Sequence, residues 1–249
     1  MTMNTITLTR DKIHEGELIL VNAVHPLHRE RTEELMPVNA RYPDILLNRK
    51  AAGMLQALLE RLTAENEIVP VSGYRSHEEQ TEIYKNSLKE NGTEFTRKYV
   101  ALPDRSEHQT GLAIDVGRYL ENIDFLCPDF PYEGICEEFR RLAPDYGFIQ
   151  RYPAGKEKIT GIAHEPWHFR YVGFPHSAVM ADMGLTLEEY ITFIKRYTPE
   201  RRLIYRNTEV FFFPAAAPYT EIRLPEDALY QVSGNNTDGF IVTVWGESR

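Results

Sequence analysis

The sequence has 249 residues, 42% hydrophobic and 26% charged, proportions that are typical of a globular protein with a full core and exclude a disordered chain. Its net charge of -9 comes from 37 acidic and 28 basic residues without a long run of either sign, which argues against a nucleic-acid or anionic-membrane partner and favours a small substrate. The N-terminus lacks the apolar core of a signal peptide and no segment approaches the roughly 20 apolar residues of a membrane span, so we expect a cytoplasmic protein.

The first half of the chain is predicted to alternate short strands with amphipathic helices. Apolar runs next to proline or glycine mark the strands, and apolar residues at helical spacing mark the helices. In chain order the predicted elements are a strand over residues 17–24, a surface segment over 26–43, a helix over 51–62, a strand over 68–71 and a helix from Ser76 to about Lys89. Ser76 and Glu79 form a capping box. Arg75 therefore lies at a strand-to-helix junction, where side chains often point into clefts.

The second half begins in the same way and ends in a region of β character. The predicted elements are a buried strand over 112–116, an aromatic loop over 119–132, a helix over 135–142, a strand within 162–172 interrupted at Pro166, a helix over 185–197, and β segments at 209–214, 220–224 and 230–245. The pattern predicts an α+β fold with two parts, a main domain over residues 1–197 and a small β-rich appendage over 198–249.

Two cysteines, Cys127 and Cys136, are expected to be small buried thiols rather than a disulfide in a reducing cytosol. They also lack the CxxC spacing of a thiolate zinc site. Any metal bound by this chain therefore needs other ligands.

Two of the eight histidines come with a carboxylate at a defined offset: His108 precedes Asp115 by seven residues, and His168 follows Glu165 by three. Asp115 ends an apolar run, where a carboxylate is costly to bury alone, and a zinc ion would neutralise it. Gly111 lets the chain turn back, so His108 and Asp115 can converge on one point. A catalytic zinc usually takes three protein ligands, and His168 is the natural third.

Glu165 is the candidate general base, which would take a proton from the attacking water and pass it to the leaving amine. Positions three apart in a regular strand face opposite sides, so Glu165 and His168 can share a site only if the backbone is distorted, and Pro166 favours such a distortion. Arg75 is the candidate that stabilises the tetrahedral oxyanion.

Each assignment has a plainer alternative. His108, Asp115 and His168 could form only a satisfied polar network, and Arg75 could be a surface arginine. A purely structural zinc site is a further alternative, but it would normally be closed by a fourth Cys or His and would not need the spare carboxylate of Glu165.

Four segments, in this order, resemble the zinc D,D-peptidases of vancomycin resistance, and among them the VanXY type. They are residues 72–76 (SGYRS), 106–115 (SEHQTGLAID), 146–148 (YGF) and 165–173 (EPWHFRYVG), and the resemblance spans about residues 17–179. It implies a central, mostly antiparallel sheet flanked by helices, with a zinc site in a cleft bordered by residues 118–135.

By the same resemblance the zinc ligands are His108, Asp115 and His168, the base is Glu165, and the arginine that stabilises the transition state is Arg75. Ser106 and Gln80 are implied as substrate contacts, and their alternatives are a turn-capping serine and an exposed helix glutamine.

The resemblance implies an enzyme that hydrolyses D-Ala-D-Ala termini, in the free dipeptide, in peptidoglycan precursors or in both, and so confers glycopeptide resistance. Two rivals stay open. One is a phage-type endopeptidase of the same fold that cuts an L-Ala-D-Glu bond in mature wall, and the other is a non-enzymatic zinc-containing binding module.

Overall fold

The computed structural model describes residues 2–215 and 218–246. These form two compact units: one is Val21–Thr186, and the other combines the residues up to Leu20 with those from Leu187 onward. The domain boundary that the sequence indicates at residue 197 stays a prediction.

The described residues form twelve strands and seven α-helices. The strands are β1 Met3–Thr9, β2 Leu35–Asn39, β3 Tyr42–Asn48, β4 Ile68–Ser72, β5 Ala113–Arg118, β6 Phe148–Tyr152, β7 Glu165–Tyr171, β8 Leu203–Tyr205, β9 Thr208–Pro214, β10 Tyr219–Pro225, β11 Leu229–Gly234 and β12 Gly239–Trp245. The α-helices are α1 Arg49–Leu62, α2 His77–Glu90, α3 Gly92–Tyr99, α4 Gly134–Leu142, α5 Glu157–Thr160, α6 His176–Met183 and α7 Leu187–Ile194.

The larger unit is built around an antiparallel sheet with the strand order β4-β5-β7-β6. Helix α1 buries its apolar stripe, including Leu55 and Leu58, in the same core cluster as Ile114 of β5 and Phe169 of β7. The α+β fold with a mostly antiparallel central sheet is confirmed. One face of this sheet is closed by the apolar core, which leaves the polar side chains of β5 and β7 to line the candidate site.

The smaller unit is mainly β-structure, and residues after 197 form strands as the sequence predicts. β1 pairs with β10, and a second antiparallel sheet has the order β11-β12-β9-β8. Phe211, Ile222 and Phe240 belong to its apolar core. In the larger unit the capping box at Ser76 is confirmed, and both cysteines are free thiols as predicted. Cys136 is buried as expected, whereas Cys127 is only half-buried.

The strand predicted over residues 17–24 is wrong. Leu18 and Leu20 are buried, but their backbone groups make isolated hydrogen bonds to residues 233–236 and do not form a β-ladder. The Leu18 N–H donates to Ser233 Oγ, and the Leu20 carbonyl accepts from the Asn236 side chain. The apolar run marks a buried segment, and burial alone does not distinguish such a segment from a strand.

The surface segment predicted over 26–43 contains a hairpin instead, formed by β2 and β3. Its register is irregular between Pro37 and Asn39, which hides the two-residue alternation that would have indicated a strand. β5 also continues through Gly117 to Arg118, where the sequence suggested an end.

Candidate active site

The candidate site lies where β5 and β7 run side by side. Asp115 of β5 is directly opposite His168 of β7, and directly opposed residues of an antiparallel pair point to the same face of the sheet. His108 comes from a short 3-10 turn before β5 that ends at Gly111, whose φ of 69° is left-handed. Within the described residues, His108, Asp115 and His168 form a buried group with ligand atoms all within 4.8 Å of one another.

The two imidazoles offer different nitrogens to the shared centre. His108 Nδ1 lies 2.7 Å from the Gly73 carbonyl oxygen, to which its N–H donates, and this leaves His108 Nε2 as an acceptor 3.1 Å from Asp115 Oδ2. His168 turns its Nδ1 inward, 2.9 Å from Asp115 Oδ1. The rings meet edge to face, with centroids 4.9 Å apart.

These three residues fit a metal ion. Asp115 Oδ1 is buried and, despite its closeness to His168 Nδ1, has no hydrogen-bond partner among the described residues. Such an acceptor is costly to bury unless something else satisfies it. Two imidazole nitrogens and one carboxylate, converging with space left beside them, are the donor set of a three-ligand metal site.

The electrostatics of the cluster keep the Asp115 carboxylate in its charged form, which is the form that binds a metal ion. Burial opposes ionisation of Asp115, but the neighbouring imidazoles hold the pKa of its carboxyl well below the ordinary value. Burial also works against the charged form of His168, yet the Asp115 charge outweighs it and raises the pKa of His168 to about 9. Burial and the nearby Arg75 lower the pKa of His108. The chain thus presents an ionised carboxylate between two imidazoles at this point.

Glu165 reaches the same centre because β7 is distorted. Gln150 is opposite Phe169 and Tyr152 is opposite Glu165, so a single residue of β6 faces three residues of β7 in between. The distortion expected at Pro166 is therefore present, and Glu165 Oε2 lies 3.6 Å from His168 Nδ1. Burial raises the pKa of Glu165 to about 8.

Arg75 is aimed at the site from the junction of β4 and α2. Its Nε donates to Ser72 Oγ and its Nη2 to Asp115 Oδ2, each at 2.8 Å. The Phe125 ring lies over the guanidinium, 5.5 Å from centroid to Cζ. These contacts fix the guanidinium beside the carboxylate and leave it bordering the pocket.

Gln80 and Ser106 are both buried and line the same narrow pocket, whose cavity volume is about 40 Å³, together with Arg75 and the cluster. The Gln80 amide nitrogen donates to the Ala101 carbonyl, while its oxygen has no hydrogen-bond partner among the described residues. The structure thus brings all seven residues selected from the sequence to one pocket.

A larger open cavity of about 480 Å³ adjoins this pocket and shares Arg75 and Ile83 with it. Phe125 lines the open cavity and Leu126 lines the narrow one. The segment that follows the Asp115 strand therefore borders the cleft.

One charged group that lines the pocket beside His168 was not selected from the sequence. Glu107 is fully buried with Arg151 and Arg170, and it faces the outer side of His168. Burial opposes its ionisation, but the two guanidinium groups hold the pKa of Glu107 far below its ordinary value. The only signal in the sequence is the position of Glu107 next to His108, because Arg151 and Arg170 are distant along the chain.

No α-helix in the described ranges is long and apolar enough to cross a bilayer.

Comparison with known proteins places these features in a family. The sequence profile of the VanY family, D-alanyl-D-alanine carboxypeptidase, matches residues 44–174. The chain is 44% identical to the bifunctional D-Ala-D-Ala dipeptidase and carboxypeptidase VanXYC of Enterococcus gallinarum, over 70% of this chain and 92% of that protein. It is 34% identical to a D-alanyl-D-alanine carboxypeptidase of Enterococcus faecium, over 96% of this chain and 78% of that protein.

A solved structure matches nearly the whole chain. The vancomycin-resistance D,D-dipeptidase VanXYg, crystallised with a D-Ala-D-Ala phosphinate analogue, superposes with a TM-score of 0.97 at 55% identity and covers 98% of this chain and 100% of that one. The match therefore extends over both compact units.

Proposed function

Because the chain belongs to the VanY family of D-alanyl-D-alanine carboxypeptidases, we propose that it is a zinc D,D-peptidase that removes D-alanine from D-Ala-D-Ala termini. The observation that carries the proposal is the buried group of His108, Asp115 and His168 with Glu165 beside it. Three metal ligands and a separate carboxylate are what metal-assisted hydrolysis requires.

His108 Nε2, the Asp115 carboxylate and His168 Nδ1 would hold the zinc ion. When bound, zinc supplies a Lewis acid that lowers the pKa of water and polarises the scissile carbonyl. The chain contributes the positions of the ligands: the Gly73 carbonyl orients His108, and Arg75 holds Asp115.

Glu165 acts as the general base and then as the general acid. Its carboxylate takes a proton from the attacking water as the oxygen adds to the carbonyl carbon, and it returns the proton to the amine nitrogen as the C–N bond breaks. The burial that raises the pKa of Glu165 suits this exchange, because a carboxyl with an ordinary pKa is a poor proton donor near neutral pH.

Arg75 supplies positive charge at the pocket wall, where the carbonyl oxygen becomes negative during the addition of water. Gln80 and Ser106 would contact the substrate. The unpartnered amide oxygen of Gln80 can accept from a substrate N–H, and the Ser106 hydroxyl can donate or accept.

The adjoining cavity supports activity on substrates longer than the dipeptide. The narrow pocket suits a small terminal residue, and the larger cavity leads away from it past Arg75 and Phe125. A peptide that ends in D-Ala-D-Ala could place its last residue in the first cavity and the preceding residues in the second. We therefore propose carboxypeptidase as well as dipeptidase activity.

Loss of the terminal D-alanine would leave precursors that glycopeptides bind poorly, so the activity would confer resistance to vancomycin. We propose that it acts on precursors in the cytoplasm. Cell fractionation of the natural host, followed by immunodetection of the chain, tests that location.

Arg75→Lys is expected to lower kcat for D-alanine release about 10²-fold at saturating zinc. A lysine keeps the charge, but its single ammonium cannot hold Ser72 and Asp115 in the fork that the guanidinium makes. Steady-state kinetics on D-Ala-D-Ala measures the effect. Arg118→Lys is the matched control, since Arg118 makes an exposed ion pair with Asp129. If Arg75→Lys released D-alanine as fast as this control, Arg75 would not be the residue that stabilises the oxyanion.

The function itself is tested by offering three substrates to zinc-loaded protein in parallel: free D-Ala-D-Ala, a soluble muramyl pentapeptide that ends in D-Ala-D-Ala, and purified wall sacculi. D-alanine is expected from free D-Ala-D-Ala and from the muramyl pentapeptide. Release from only one narrows the activity to a dipeptidase or a carboxypeptidase. New amino termini from sacculi, without D-alanine from the soluble substrates, would favour the L-Ala-D-Glu endopeptidase, and no hydrolysis with zinc bound would favour a binding module.

A further inference from the structure

We propose that Glu107 is a positioning residue for His168: its carboxylate accepts the N–H of His168 Nε2 and so presents Nδ1 to the metal. This inference rests on the proposed metal site, and it assigns a task to a charged group that is not among the three ligand residues.

A completely buried ionic cluster lies beside His168. Glu107, Arg151 and Arg170 have side-chain exposures of 0%. Glu107 Oε1 accepts from Arg151 Nε at 2.8 Å and from Arg170 Nη1 at 2.9 Å. A buried ion pair is weak support for stability, because desolvation offsets its Coulombic gain. A cluster of this kind at an active site therefore calls for a functional reason.

The other carboxylate oxygen of Glu107, Oε2, points toward His168. Glu107 Oε2 lies 3.7 Å from His168 Nε2, and each of these buried atoms lacks a hydrogen-bond partner among the described residues. One is an acceptor, and the other is a donor whenever His168 uses Nδ1 as a ligand. A shift of less than about 1 Å would bring them to the 2.7–3.2 Å of a hydrogen bond.

The two imidazoles then have equivalent outer partners. His108 donates Nδ1–H to the Gly73 carbonyl, which leaves Nε2 for the metal. His168 would donate Nε2–H to Glu107, which leaves Nδ1. An outer acceptor of this kind fixes the tautomer and the ring orientation of a metal-binding histidine, and a carboxylate makes the imidazole more basic than a carbonyl does.

The arginines keep Glu107 in place for this contact. Both bond to Oε1, which fixes the plane of the carboxylate and directs Oε2 toward His168. The amide of a Glu107→Gln variant has only one oxygen, so it cannot accept from His168 and from the two arginines. If that oxygen faces His168, the NH₂ group lies against two guanidinium groups.

Glu107→Gln is expected to weaken zinc binding about 10- to 100-fold, the usual effect of losing an outer-shell partner. The zinc dissociation constant of the 249-residue chain is measured by competition with a chromophoric zinc chelator. Zinc binding by the wild-type chain is measured first, so that failure of the metal site itself is seen separately. Glu209→Gln, which removes the carboxylate from Arg202 in the other unit, is the matched control and should bind zinc like the wild type.

A second measurement keeps the inference testable if Glu107→Gln does not fold. In zinc-loaded wild-type protein, ¹⁵N NMR of the imidazoles should show His168 protonated at Nε2, with a downfield proton that exchanges slowly with water. A His168 Nε2 proton that exchanges at the rate of a free imidazole would overturn the proposal. So would a folded Glu107→Gln chain that binds zinc as tightly as the control, since a merely structural Glu107 would affect neither quantity.

Discussion

Glu165→Gln is expected to lower the rate of D-alanine release by about 10²- to 10⁴-fold, the range that a positioned general base contributes. The amide keeps the shape of the side chain, but it cannot take a proton from water or return one to the leaving amine. Glu165 is not among the three ligand residues, so zinc affinity should remain within about threefold of the wild-type value. Steady-state kinetics together with chelator competition separates the two effects.

The matched control for this variant is Glu138→Gln, an exposed glutamate on α4. It should hydrolyse D-Ala-D-Ala at the wild-type rate. If Glu165→Gln retained more than about a tenth of that rate with zinc bound, another group would have to be the base, because general-base loss costs at least about 10²-fold.

Asp115→Asn is expected to weaken zinc binding by more than the roughly 100-fold that a change outside the ligand shell produces. Asp115 contacts both histidines, and it also accepts the 2.8 Å hydrogen bond from Arg75. The substitution removes one ligand. It also removes the only negative charge among the three ligand residues, and that charge attracts a cation. Hydrolysis should fall in parallel, because the unmatched positive charge of Arg75 repels the metal.

Chelator competition again gives the zinc dissociation constant, and activity at saturating zinc shows whether hydrolysis can be restored. Asp129→Asn, at the exposed ion pair with Arg118, is the control. Wild-type zinc affinity in Asp115→Asn would show that the metal is held elsewhere.

The sequence predicts the site well where the chemistry is local. A carboxylate at the end of a buried apolar run, a glycine turn and a capping box each have a direct physical consequence, and the structure places Asp115, Gly111 and Ser76 accordingly. The α+β character follows from the two periodicities. These features depend on neighbours within a few positions, which a single sequence displays.

What the sequence could not predict depends on pairing between distant segments. Nothing in the residues themselves says that Asp115 is opposite His168, since strand register is fixed by the packed sheet. The buried Glu107 with its two arginines is hidden for the same reason. The strand predicted at residues 17–24 is wrong for a related reason. An apolar run shows that a segment is buried, but it does not show whether that segment pairs with a strand of a sheet.

The metal site is tested most directly by a zinc titration of metal-free protein, with D-alanine release from D-Ala-D-Ala as the signal. The rate should rise from background in proportion to added zinc and level off at one zinc per chain. The same titration of Asp115→Asn should stay near background over this range. Full activity in the stripped wild-type protein, or activity that zinc does not restore, would contradict the assignment of His108, Asp115 and His168 as the catalytic metal site.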